Sequence, residues 1–271
     1  MTVEVRPAAA GGTARRTLTA ALGIPLILLP LYLGGWVWTA LLAALALLGA
    51  REWISLTRAS GLAPSAPVVL GGTVLLFGCV VFRPHLLPGV AALLTAAAFA
   101  AQLGPAGRRQ APANAGVSLI GPLYLSLFAA LDLLRRLPEG LAWTLLLVVS
   151  VWAADSAAYF GGRALGRHPL APAISPSKTW EGAVSGALGG EAAAVAAAAL
   201  AGLPLAAAAV MGALAGTVGL LGDLAESALK RAAGLKDSGS LLPGHGGVLD
   251  RFDAVLFVAP LAYALLVSVL R

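Results

Sequence analysis

Charged side chains are scarce in this chain, with Asp, Glu, Lys and Arg making up 11% of 271 residues where an ordinary soluble domain carries about 25%. Cysteine is rarer still. The single Cys79 lies in an apolar run, which excludes a disulfide framework and a thiolate metal site and leaves a small buried hydrophobe. Aromatics amount to 6% and nowhere interleave with a basic face, so the formal charge of +6 does not indicate a nucleic-acid surface. No Ser-His-Asp or Cys-His grouping suggests a covalent nucleophile. No internal repeat of the kind common in transporters is detectable.

What the chain has in abundance is apolar residues, 59% of the total at a mean hydropathy of +0.89. That excludes a soluble domain and indicates an all-α, polytopic membrane protein. Apolar runs at 18–33, 36–50, 68–82, 86–103, 116–134, 141–160, 183–203, 205–224 and 254–270 predict about nine spans, preceded by a disordered tail over 1–17. Residues 18–271 form one transmembrane domain, and the polar gap 161–181 reads as a loop. With a cytoplasmic N-terminus, fourteen Lys and Arg fall in inside loops and four outside, which satisfies the positive-inside rule. An inner-membrane protein with its charged loops toward the cytoplasm is expected.

Glycine and alanine stud the late spans, at Gly186, Gly189, Gly190, Gly212, Gly216 and Gly219, and read as surfaces for close helix packing. Glu191 stands among them with no partner nearby in sequence, as an interhelical hydrogen bond, a periplasm-facing group or part of a lipid-head pathway.

Against this background, two segments concentrate the polar chemistry. From Ser227 to Asp253 the chain gathers Lys230, Arg231, Lys236, Asp237, His245, Asp250, Arg251 and Asp253. Just upstream, Asp223, Glu226 and Lys230 share one helical face. The other segment opens with Asp155 and continues to Ser175-Pro-Ser177-Lys178-Thr179-Trp-Glu181-Gly182. The only three lysines, Lys178, Lys230 and Lys236, all fall in these segments, and a mobile ammonium is a good binder of phosphate.

The pattern Ser227-Ala-Leu-Lys230-Arg231, Lys236-Asp237, Pro243-Gly244-His245-Gly246-Gly247 and Asp250-Arg251-Phe252-Asp253 closely resembles the motif of the phosphatidate cytidylyltransferase (CDP-diacylglycerol synthase) family. The Ser-Pro-x-Lys-Thr-x-Glu-Gly segment is similar to one that the family places in its active-site region. The first half of the chain resembles the family only as a series of apolar spans. The resemblance implies the reaction of CTP with phosphatidate to give CDP-diacylglycerol and pyrophosphate.

The residues suit that chemistry. Asp223 and Asp250 are expected to hold Mg²⁺, with Asp253 and Glu226 as further ligands or partners and a second cation left open, since oxygen-only donors favour this ion. Boundary charges pairing with Arg231 and Arg251 are the structural alternative. Lys230 and Arg231 are expected to act catalytically, and Lys236 and Arg251 to neutralise phosphates. Ser177, Lys178 and Asp155 would complete the substrate pocket, helix capping being the structural alternative for Ser175, Ser177 and Thr179. Gly246 and Gly247 read as a turn whose N–H groups approach a phosphate, with His245 a hydrogen-bonding group or a metal ligand. Expected partners are CTP, phosphatidate and the bilayer, with a homodimer open. A CTP-dependent polyprenol kinase shares such a site, a CDP-alcohol phosphotransferase lacks its Asp-Gly-x-x-Ala-Arg run here, and a transporter would place charge nearer mid-membrane.

Overall fold

The structure is a computed structural model that describes residues 23, 25–104, 110–239 and 246–270. The expected tail over 1–17, part of the first expected span and His245 lie outside them. A helical segment over 25–33, α1, ends at Gly34 and Gly35, whose φ angles of 66° and 52° suit glycine and turn the chain into α2, Gly35–Ala59. There follow α3 (Ala66–Phe82), a 3₁₀ turn (Pro84–Leu86), α4 (Leu87–Ala100), α5 (Ala111–Leu125) and α6 (Phe128–Arg135). The second half comprises α7 (Gly140–Leu165), α8 (Trp180–Ala201), α9 (Leu205–Ala232) and α10 (Leu249–Val269).

Six helical stretches among the described residues are long and apolar enough to cross a membrane: α2, α5 with α6, α7, α8, α9 and α10. Two more apolar stretches, Ala66–Phe82 and Pro84–Ala100, are helical but shorter. The helices outrun the apolar runs that announce them, because backbone hydrogen bonding continues past the point where side chains become polar. In this way α2 carries Glu52, α9 carries Glu226 and Lys230, and α10 carries Asp250 in its first turn.

The segment expected to be a loop, 161–181, is more ordered than its composition suggests. Helix α7 runs on to Leu165, and a small antiparallel hairpin follows, with β1 (Pro169–Ala171) paired to β2 (Ser175–Thr179) in the register Pro169 opposite Thr179 and Ala171 opposite Ser175. Thr179 then caps α8, its hydroxyl accepting the Gly182 N–H at 3.1 Å. Glu181 turns away from that cap and accepts the backbone N–H of Arg167 at 3.1 Å, which ties the end of α7 to the start of α8.

Helices α7 to α10 pack in succession, and small residues bring them close. The buried face of α8 is Gly182, Gly186, Gly190, Ala194 and Ala198, one residue per turn, while Val184, Leu188 and Leu200 point outward. Apolar surface gains little by leaving lipid for protein, so backbone-level contact between such stripes supplies the attraction. A Cβ on Gly190 would lie 2.7 Å from the Gly212 carbonyl of α9. Glu191 is half-buried beside this crossing. Farther along α9, a Cβ on Gly222 would lie 2.5 Å from the Asp253 carbonyl of α10, so Asp223 and Asp253 come from the closest point of that pair. At the opposite end of the bundle, buried Asp132 accepts the Thr39 hydroxyl at 2.5 Å and the Arg136 guanidinium at 2.6 Å, locking α6 to α2.

Candidate active site

The end of α7, the hairpin, the start of α8, the end of α9 and the start of α10 gather at one end of the bundle. The two charged segments therefore meet. Lys178 of β2 forms an ion pair with Asp223 of α9 at 2.5 Å. Arg231 donates to the Ile174 carbonyl at 3.3 Å and fastens the hairpin turn to the same helix.

Between α9 and α10 stands Lys230. Its ammonium pairs with Glu226 one turn earlier and with Asp250 Oδ1 at 2.7 Å. Glu226 is 1% exposed, so this lysine is its counter-charge; removing one member of such a buried pair typically costs about 3–5 kcal/mol. Asp250 Oδ2 accepts three more hydrogen bonds, from the Ser238 N–H at 2.8 Å, the Ser238 hydroxyl at 2.8 Å and the Gly247 N–H at 2.7 Å. A single carboxylate thus ties Ser238 and Gly247 together ahead of α10.

These elements enclose a cavity of about 340 Å³. Asp155, Asp223, Asp237, Asp250 and Asp253 line it together with Lys230, Arg231, Lys236 and Arg251. Asp223 and Asp250, expected to converge from two separate helices, do face one space. Asp253 joins them from the next turn of α10, with its Oδ1 on the Ala254 N–H at 2.8 Å. The negative charges of Asp155 and Asp223 both act on it. A cavity lined by five carboxylates and four cations has the chemistry to take a divalent cation and a polyphosphate together.

Other expected site residues stand elsewhere. Glu226 is sealed behind Lys230 and does not line the cavity. Ser177 is exposed on β2, and Lys178 reaches the site only through Asp223. The Gly246-Gly247 turn, expected to offer N–H groups to a phosphate, serves a carboxylate: the Gly247 N–H is taken by Asp250, and Gly246 has a φ of 79° with its α-carbon turned toward the same side chain. A protein carboxylate in hydrogen-bond range competes for such donors before any substrate arrives.

Two participants escaped the sequence reading: Ser238, which shares its hydroxyl between Asp250 and Glu52, and Glu52 itself, which comes from α2. Ser227, quoted there only as part of a motif, donates to Asp223 Oδ1 at 3.3 Å. Glu52 accepts the Val248 N–H at 2.8 Å and the Leu249 N–H at 2.9 Å. One signal for it is available in the sequence, an acidic residue next to Arg51 at the end of a long apolar run. What it meets, almost two hundred positions away, is not.

A family model described as the cytidylyltransferase family matches residues 14–269, including the first half of the chain, where only apolar spans were evident. The chain is 36% identical to a phosphatidate cytidylyltransferase of Synechocystis sp., over 94% of this chain and 97% of that one. It is 50% identical to a phosphatidate cytidylyltransferase of Brucella suis over 52% of this chain and 54% of the relative. It is 34% identical to the chloroplastic phosphatidate cytidylyltransferase 5 of Arabidopsis thaliana over 92% and 71% of the two chains.

Proposed function

The chain belongs to the cytidylyltransferase family, and on that premise we propose that it joins CTP and phosphatidate into CDP-diacylglycerol with release of pyrophosphate. The observation that carries this reading is the cavity at the helix ends, where carboxylates from α7, α9 and α10 share one space with Lys230, Arg231, Lys236 and Arg251. An oxygen of the lipid phosphate attacks the α-phosphorus of CTP, the bond from that phosphorus to the bridging oxygen of the β-phosphate breaks, and pyrophosphate departs with the electron pair. A phosphate monoester is already largely ionised near neutrality, its second pKa being about 6, so no strong base is required. The protein's task is to hold two polyanions together in line.

The donor set fits Mg²⁺. Among the described residues no three His, Cys, Asp or Glu side chains draw tightly together, and Mg²⁺ does not need them, since it takes one or two carboxylates and fills its shell with waters and substrate phosphates. Asp223 and Asp250 would hold the ion, with Asp253 beside them; when bound, it supplies charge neutralisation at the phosphates. Asp223 and Asp253 have the freer oxygens, whereas Asp250 already accepts four hydrogen bonds. Lys236, Arg231 and Arg251 are suited to the phosphates of CTP. Lys178 and Lys230 keep the carboxylates in place.

The site sits where apolar helices end, so the acyl chains stay in the bilayer while the head group meets the nucleotide. We place this end in the cytoplasm of a bacterial inner membrane, with nine crossings made by the six long helices, the two shorter ones and the first apolar run. Purified protein supplied with CTP, Mg²⁺ and phosphatidate is expected to release pyrophosphate and form a CDP-lipid. Formation of CDP with a newly phosphorylated lipid would instead identify a kinase, and neither product would leave the reading without support.

A further inference from the structure

Glu52 lies far from the signature segment in sequence and is nonetheless built into it. It is 9% exposed, on a helix of the apolar half of the chain. A buried carboxylate is costly unless its oxygens are satisfied, and here the donors are backbone groups that have no partner of their own. Helix α10 has no side-chain cap from Val248, so its first N–H groups would go unpaired. Glu52 takes two of them, those of Val248 and Leu249, and sets a negative charge at the positive end of the helix.

Ser238, Gly239 and Gly247 close around the same carboxylate. A Cβ on Gly239 would lie 2.8 Å from Glu52 Oε1, and one on Gly247 would overlap both Glu52 and Ser238. The Ser238 oxygen stands 3.1 Å from Glu52 Oε2 and 2.8 Å from Asp250 Oδ2. A hydroxyl has one proton, so Ser238 is shared between two carboxylates, one outside the cavity and one lining it. Glu52, Ser238, Asp250 and Lys230 form a continuous line from α2 to the cavity wall.

We propose that Glu52 is a positioning residue, whose buried carboxylate pins the start of α10 and the residues on either side of the signature turn, and so fixes the Asp250 carboxylate at the cavity wall. The consequence for turnover rests on the cytidylyl transfer proposed above; the structural role does not.

The test uses the full chain in detergent micelles, with two readouts: steady-state CDP-lipid formation from CTP and phosphatidate, and hydrogen exchange at the Val248 and Leu249 amides. Glu52→Gln keeps the size but turns an NH₂ toward an N–H. It is expected to lower kcat about 100-fold, the scale of a 1 Å misplacement, and to speed exchange at both amides. Glu52→Asp keeps the charge on a shorter stem and is expected to fall between Glu52→Gln and the wild type in both readouts. A Glu52→Gln enzyme with wild-type kcat, or one that is slow while the two amides exchange as before, overturns the proposal. Should Glu52→Gln not accumulate as folded protein, Ser238→Ala removes only the shared hydroxyl. Slower turnover with faster exchange supports the proposal, and no change in either overturns it. If the wild type makes no CDP-lipid, the proposed reaction falls while the exchange rates still decide what Glu52 does.

Discussion

Lys178 and Asp223 form a 2.5 Å ion pair that joins the hairpin to the last turns of α9, although neither is wholly removed from solvent, with side-chain exposures of 20% and 37%. The pair links the two polar segments of an otherwise apolar chain. It also sets where the Asp223 carboxylate points, because Ser227 reaches only the other oxygen, at 3.3 Å.

Replacing Lys178 by Ala is therefore expected to impair catalysis more than folding. Asp223 would keep its access to water, so the melting temperature in detergent should stay within a few degrees of the wild type. Turnover should fall about 100-fold, the scale of a catalytic group displaced by about 1 Å, because Asp223 loses the partner that sets its direction. Lys178→Arg is not expected to rescue, because a planar guanidinium does not reproduce a compact ammonium. Measuring label transfer from CTP to lipid alongside thermal unfolding checks the split.

Removal of divalent ions should silence the enzyme reversibly. Asp155, Asp223 and Asp253 line one cavity, where a divalent cation would offset their charge and that which CTP adds. Activity is expected to vanish in excess EDTA and to return with Mg²⁺. Undiminished turnover after exhaustive chelation would remove the ion from the mechanism.

The parts of this site that are legible in the sequence are those carried by local spacing. Asp223, Glu226 and Lys230 share a face because a helix turns every 3.6 residues, and Lys230 does pair with Glu226. The meeting of Asp223 with Asp250 was readable only as a condition on how two spans pack. The condition is met through Gly222, whose lack of a side chain lets α10 come close. What meets the Gly247 N–H was not legible for a physical reason: glycine permits close approach without specifying what approaches, and here it is the Asp250 carboxylate. Glu52 was missed because the amides it accepts lie almost two hundred positions away, and the hairpin because strands of three and five residues are too short to show an alternating pattern.

Asp223 and Asp250 should separate when each is changed to Asn, although both variants are expected to lose turnover. Asp223 makes one ion pair at a partly exposed position, so Asp223→Asn should unfold much like the wild type. Asp250 holds Lys230, both donors of Ser238 and the Gly247 N–H, and Glu226 stays buried beside the lysine. Its loss leaves several buried groups unmatched, and Asp250→Asn is expected to cost about 3–5 kcal/mol in stability. Equal melting temperatures for the two variants would mean that the Asp250 contacts to Lys230, Ser238 and Gly247 do not stabilise the fold.

The crossing of α8 and α9 sets the distance over which Lys178 can reach Asp223, since β2 leads directly into α8 and Asp223 sits on α9. At that crossing Gly190 and Gly212 face each other so closely that a Cβ on the first would stand 2.7 Å from the carbonyl of the second, and a Cβ on Gly212 would overlap the Gly190 carbonyl in turn. Both obstructing atoms are backbone and cannot rotate away, so Gly212→Ala must push the helices apart. Overpacking of this kind costs about 1–3 kcal/mol, whereas alanine's better helix propensity returns only about 0.8–1.0 kcal/mol. The variant is expected to melt lower than the wild type and to lose activity as the ion pair lengthens. Gly71→Ala in α3 is the control, because a Cβ there meets nothing within 4 Å and the propensity gain stands alone. If Gly212→Ala melts and turns over like Gly71→Ala, the close approach of α8 to α9 is not what holds Lys178 against Asp223.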